Sequence, residues 1–389
     1  MSPGGNQVVQ AQLGGFAGER LRRNVRQWIN TFDIHRYVGL VENRKPGGAT
    51  LAGLWLEAAT YACEWAGDAL LRQRAMGMLE RLLAAVDPAD PLFEPLGGAF
   101  QAAADVWDNG PAMAVANRLP APPTVLPEDP NGVEALVWNR LFPLQTVDGD
   151  GFRADLPPSG WRPQGYYAGP LESDARTALA LTKIPGLFYV AESDGIRINH
   201  YGPSSAQIGD IRVRQTTQYP SDGTVRIEIE PGKTRAFTIR LRVPPWCGAP
   251  RIALNGRSIS TFSIGRKWNA GDRIDLNFPM EPRWRKGTGA QAGLLSLERG
   301  PLAYFAEAEP GVGAGRVIGI PANQESLGPA YKITGSGVAM MPLANLGEWY
   351  KSDAEKSRWL EAIASHPAWA GDAARGRDIP YSIWLRFAP

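Results

Sequence analysis

Cysteine is scarce in this chain of 389 residues: only Cys63 and Cys247 occur, alongside three histidines, His35, His200 and His366. Two thiols so far apart give no disulfide framework and lack the paired spacing of a zinc site. Neither sign of charge dominates, with 41 basic against 39 acidic residues, so no field favours nucleic acid or an anionic membrane. No run approaches the ~20 apolar residues of a membrane span. The first residues, Met1-Ser-Pro-Gly-Gly5, lack the basic and apolar segments of a secretory leader, and a soluble cytoplasmic protein is expected. A P-loop, a dinucleotide fingerprint and a Ser-His-Asp motif are also missing. No cofactor or metal is expected from these absences, nor a nucleic-acid or membrane partner.

Short strands fill the stretch from Phe188 to Gly300. Ile211–Thr217, Thr224–Ile229, Ala236–Val243 and Arg273–Phe278 alternate apolar and polar residues, the period of half-buried strands. Asp194-Gly195, Asp222-Gly223, Asn255-Gly256 and Gly271-Asp272 separate them, and Asn-Gly and Asp-Gly supply the positive φ of tight hairpins. A β-sandwich is predicted. Thirteen tryptophans are more than a core usually needs. A surface indole is a platform for a sugar ring, and a buried one is packing.

The N-terminal third has helical spacing. Leu21, Val25, Trp28 and Phe32 form one stripe. After Pro46-Gly-Gly48, Thr50 is placed to cap a helix carrying Leu54, Trp55, Ala58, Tyr61 and Trp65. Asp68 starts another, stopped by Asp87-Pro88, and the short Gly67-Asp68 connection predicts an antiparallel pair. Weaker helices are expected over 98–107, 111–117, 134–142 and 173–183, with a Pro-rich loop over 119–130. Residues 1–15 read as a flexible arm, 16–185 as a helical domain, 186–290 as the sandwich, and 291–389 as a C-terminal β domain with a helical insertion at 352–363.

Several motifs resemble glycoside hydrolase family 127, the β-L-arabinofuranosidase-like proteins. Gly195-Ile-Arg-Ile-Asn-His-Tyr-Gly-Pro-Ser204 is similar to the family's "GLYVNLYxPS", and Gln215-Thr-Thr-Gln-Tyr-Pro-Ser-Asp-Gly223 to its "QxTxYPWDG". Phe237–Trp246 resembles "FxLxLRIPxW", Lys267–Met280 "RxWxxGDxIxLxxPM", and Leu297–Tyr304 "xxRGPLVY". In the helical part, Gly53-Leu-Trp-Leu-Glu-Ala-Ala59 resembles "GKWLEAA", and Glu134-Ala-Leu-Val-Trp-Asn-Arg140 resembles "ExALYN". The resemblance implies an α+β multidomain fold: a truncated (α/α) barrel-like helical domain, then a β-sandwich and a second small β domain. Truncation follows because only about 50 residues separate Val86 from Glu134, against ~11–12 residues for each helix of a twelve-helix toroid. It also implies a carbohydrate partner and, from helix faces left bare, a homo- or hetero-oligomer.

The family's chemistry does not carry over. Its characterised members use a zinc-held cysteine thiolate from "ETC" and "CCxxNxxR" motifs. Here no Glu-Thr-Cys occurs, and Gly169-Pro-Leu-Glu-Ser-Asp-Ala-Arg176 stands where the paired cysteines should be. Glu172 and Asp174 in that replacement are the candidate catalytic carboxyls, since glycosidases conventionally use two. Trp161, Tyr166, Tyr167 and Arg176 are the candidate sugar-binding residues. The same residues also fit a helix start, with Ser173 or Asp174 as cap and Arg176 paired to Glu172. Asp105 and Asp108, flanking Trp107, are a second carboxyl pair or a solvated helix end. A glycoside hydrolase with degenerate or altered catalysis is the leading expectation, and a non-catalytic sugar-binding or assembly module the alternative.

Overall fold

The computed structural model describes residues 7–120, 125–146, 148–152, 156, 159–162, 171–306, 313–320, 327, 329–334, 336, 338–346, 379–383 and 385–387. Tyr166, Tyr167 and the helix expected at 352–363 lie outside them.

The helical region is laid around one buried helix. α1 (Gly15–Arg23) continues through a π-helical turn, Asn24–Ile29, and buries the expected Leu21, Val25 and Trp28. α2 (Ile34–Glu42) starts where the Asp33 carboxylate accepts from the Arg36 amide. α3 (Gly48–Ala66) begins two residues before Thr50, behind Gly47 at φ +81°. Gly48 is a close-approach position: a Cβ there would lie 2.7 Å from Leu40 Cβ and 2.9 Å from the Tyr37 carbonyl. α3 is buried along most of its length and packs against α2, α4 (Ala69–Ala85), α5 (Gly97–Trp107) and α9 (Leu171–Lys183). Asp68 caps α4, accepting from Leu71 N at 2.9 Å, a contact worth ~1 kcal/mol. α6 (Gly110–Ala116) follows α5; α7 (Pro130–Leu136) passes through a second π turn into α8 (Phe142–Leu144).

Two sheets carry the sandwich. The first has the order β1 (Gln7–Val9), β4 (Tyr189–Glu192), β5 (Gly195–Ile198), β9 (Arg235–Leu241), β12 (Ser263–Trp268). The second runs β11 (Arg257–Ile259), β10 (Arg251–Leu254), β13 (Asp272–Asn277), β8 (Thr224–Pro231), β7 (Ile211–Thr217), β6 (Ser204–Ile208), β2 (Gln12–Leu13). Ile211, Val213 and Gln215 of β7 point inward between exposed Arg212 and Arg214, as alternation predicts. Asn255 and Gly256 turn β10 into β11 with φ of 50° and 81°, the two positive values the Asn-Gly pair was read to supply. Gly195 is a close-approach position, because a Cβ there would sit 1.9 Å from the Thr238 carbonyl of parallel neighbour β9.

A third sheet takes the remaining described strands. Its order is β17 (Gly313–Ala314), β22 (Leu385–Phe387), β15 (Leu294–Arg299), β16 (Leu302–Ala306), β20 (Ala339–Pro342), β19 (Ala330–Ile333), β18 (Val317–Ile320). β14 (Pro282–Lys286) joins it through β15, and β21 (Ile379–Ser382) links it to β3 (Ser159–Arg162). Two expectations change here. Residues 7–13 are sheet edges rather than a free arm, because their backbone groups find partners on β4 and β6. Pro282–Lys286, expected in the sandwich, pairs with the third sheet instead.

One continuous core joins the helices, the sandwich and the third sheet. Trp28, Trp55, Trp65, Trp138 and Trp268 are buried in it. Trp55 donates to the Ile29 carbonyl and Trp268 to that of Phe237, each at 2.9 Å. These indoles are packing residues and not sugar platforms.

Candidate functional site

Leu171–Arg176, from the segment expected by resemblance to replace paired cysteines, lies in the first turns of α9. Glu172 is exposed and receives two hydrogen bonds from Arg176, at 3.1 Å from Nε and 2.7 Å from Nη2. Asp174 is half-buried, and its Oδ1 is enclosed without a hydrogen-bond partner among the described residues. Desolvation pushes the Asp174 carboxyl up to about 7, because burial penalises the charged form. Positions i and i+2 of an α-helix do not face each other, so α9 turns these two carboxyls apart. Trp161 lies on β3, whose backbone pairs with β21. The other two aromatic candidates, Tyr166 and Tyr167, are among the residues not described.

The thiols are placed for packing. Cys63 lies buried in α3, and burial, aided by Glu64, pushes it up to about 12. Cys247 is also buried and raised by desolvation. A thiol at about 12 is thiolate in roughly one molecule per hundred thousand at pH 7, too little for a nucleophile. Among the described residues, no group of three or more His, Cys, Asp or Glu side chains converges on a metal position. No helix among them is long and apolar enough to cross a membrane.

The second carboxyl pair does not form a site. Asp105 is exposed and accepts from Gln101 at 2.8 Å, while Asp108 takes the left-handed position at the end of α5, φ +52°. Trp107 between them donates to Glu64 at 2.9 Å.

A buried polar cluster lies elsewhere, where α7 meets the sandwich. Glu134 accepts from Arg242 Nη2 at 2.7 Å, from the Tyr219 hydroxyl at 2.5 Å and from the Trp246 indole at 3.2 Å. Arg242 also donates to Asn131 Oδ1 at 2.9 Å and to the Asn199 carbonyl. Burial would lower the Arg242 pKa, but the charge and hydrogen bond of Glu134 hold it above its ordinary value. Tyr219 is raised well above 10 by burial and then by Glu134. Asn139, one turn beyond, donates to the Pro301 carbonyl at 2.9 Å and accepts from the Ala303 amide at 2.7 Å. The motif residues Glu134, Asn139, Tyr219, Arg242 and Trp246 therefore act as a clamp between the helices and the two β units. Sequence reading found these motifs but not this role, because each contact of Glu134 spans 85 residues or more. Beside the clamp is a cavity of about 20 Å³ lined by Glu134, Val137, Trp138, Phe188, His200 and Tyr201, enough for one water.

Residues 195–280 match the family model described as "Beta-L-arabinofuranosidase, GH127 middle domain". Among solved structures, one described as a glycoside hydrolase superposes with a TM-score of 0.60 at 12% identity, covering 98% of both chains. That likeness establishes the fold. A GH127 β-L-arabinofuranosidase from Geobacillus stearothermophilus T6 aligns at TM-score 0.49 and 17% identity, over 90% of this chain and 62% of its own. A second GH127 β-arabinofuranosidase aligns at 0.49 and 16% identity, over 94% and 64%. The chain thus spans less than two thirds of the length of these two enzymes. No curated protein matches the sequence.

Proposed function

We infer that this chain, which resembles the β-L-arabinofuranosidases of glycoside hydrolase family 127, is a carbohydrate-active protein with chemistry altered from the zinc-thiolate route. Asp174 carries the reading. A carboxyl pushed up to about 7 by burial keeps its proton near neutral pH, the condition for protonating a departing glycosidic oxygen. In this proposal Asp174 is the general acid, and Trp161, Tyr166, Tyr167 and Arg176 hold the sugar. Glu172, the other proposed carboxyl, acts through Arg176, to which it is paired, and not from the face of Asp174. The cytoplasm is its proposed location.

A second reading, a non-catalytic sugar-binding or assembly module, is favoured by one observation: the first turn of α9 offers Asp174 no facing carboxyl. In that reading, association with a copy of itself or another chain covers helix faces that the shortened barrel leaves bare. Aryl glycosides, led by β-L-arabinofuranosides, separate the two readings. Turnover by the wild type that falls at least ~100-fold in Asp174→Asn is expected if Asp174 is the acid. Sugar binding by folded protein without turnover selects the second reading.

A further inference from the structure

Glu57 is a charged residue in the middle of buried helix α3, among Ala, Leu and Trp neighbours. Its side chain is 8% exposed, and Lys183, the last residue of α9, brings its ammonium to 2.5 Å from Oε1. Tyr61, one turn along α3, lies under the same ammonium, 5.2 Å from the ring centroid. Burial, then the charges of Glu57 and Asp105, holds the Tyr61 phenol proton above the ordinary tyrosine range, so its hydroxyl stays a neutral donor. That hydroxyl and Glu57 Oε2 form no hydrogen bond among the described residues, and neither is sealed from solvent.

We propose that Glu57, Tyr61 and Lys183 form a second polar site that takes neighbouring hydroxyls of a neutral sugar. One sugar hydroxyl donates to Glu57 Oε2, and its neighbour accepts from the spare protons of Lys183 and from Tyr61. Lys183 occupies the face of the Tyr61 ring, so recognition is through hydrogen bonds and not ring stacking. Glu57 and Glu64 lie on one face of α3 at i and i+7, and Asp105 adds its charge to Tyr61's surroundings. Lys183 balances Glu57, and Arg72 balances Glu64 at 3.6 Å. Asp105, which accepts from the neutral Gln101 amide, leaves the surroundings slightly negative, which disfavours a carboxylate-bearing sugar and selects a neutral ligand. Lys183 and the first turn of α9 lie at opposite ends of the helix, about 18 Å apart along its axis. The inference shares the carbohydrate reading but does not depend on Asp174.

A merely structural ion pair needs Glu57 and Lys183 but not the Tyr61 hydroxyl, which gives the test. Binding of methyl β-L-arabinofuranoside and of galacturonate is measured by calorimetry on wild type, Tyr61→Phe, Lys183→Met and Asp174→Asn, with melting temperatures alongside. Expected are binding of the neutral probe and not of galacturonate, with the binding event that survives Asp174→Asn weakened at least tenfold in Tyr61→Phe at unchanged melting temperature and comparably in Lys183→Met. Wild type that does not bind the neutral probe overturns the inference, as does equal binding by Tyr61→Phe or equal binding of galacturonate. Turnover indifferent to Asp174→Asn, with binding still lost in Tyr61→Phe, sinks the general-acid proposal alone.

Discussion

Arg242→Met tests whether the clamp holds the helical and β units together. The substitution keeps much of the aliphatic stem and removes the charge, leaving Glu134, whose side chain is 4% exposed, as a buried carboxylate. Removing one partner of such a pair costs ~3–5 kcal/mol. Tyr219 and Trp246 still donate to Glu134, which places the expected loss near the lower bound, about 3 kcal/mol. Glu134→Leu combined with Arg242→Met removes both charges, leaving chiefly the Tyr219 hydroxyl unpaired, at ~1–3 kcal/mol. The double variant should therefore be less destabilised than the sum of the singles by about 2 kcal/mol. Urea denaturation read by tryptophan emission is suited to the purpose, because Trp246 lies in the cluster. A loss below ~1 kcal/mol for Arg242→Met, or additive singles, would refute the clamp.

Four further outcomes follow from buried groups, one close approach and one open helix position. His200 is 8% exposed, and burial, then Arg242, pulls its imidazole down to about 3. The unfolded chain binds the proton first, so stability is full above ~6.5 and falls by up to ~1.4 kcal/mol per unit as pH drops toward 3. His200→Leu should flatten that slope between pH 6 and 4, and an unchanged slope would remove His200 as its source. Native Cys63 and Cys247 should resist iodoacetamide at pH 7.5 and react once urea unfolds the chain; fast alkylation of the native protein would contradict their burial. Gly195→Ala drives a Cβ against the Thr238 carbonyl and should abolish soluble folded protein. Gly77→Ala, with nothing within 4 Å of the added Cβ, should instead raise stability by ~0.5–1 kcal/mol, which denaturant midpoints would register.

Local rules were legible in the sequence. Asp68 caps α4, Asn255-Gly256 turns a hairpin, and the alternation in β7 and β8 places the inward residues. Such features depend on a few neighbouring residues. Gln7–Val9 and Gln12–Leu13 were not legible, since three- and two-residue edge strands carry no period and exist through partners on β4 and β6. α2 was also missed, although Asp33 marks its start. Glu134 stood out as a motif residue, but nothing local reveals a partner 108 positions away. Glu57 left a fainter signal: one carboxylate inside Leu54-Trp-Leu-Glu-Ala-Ala59. At α9 both readings of Glu172–Arg176 were legible, and the structure contains the ion pair.

The most direct test of the functional account is the pH profile of turnover of 4-nitrophenyl β-L-arabinofuranoside, with and without a zinc chelator. The account predicts chelator-indifferent turnover that declines as pH rises through about 7, the value to which burial pushes Asp174, and that disappears in Asp174→Asn. Turnover abolished by the chelator, or a profile that Asp174→Asn leaves unchanged, would contradict it.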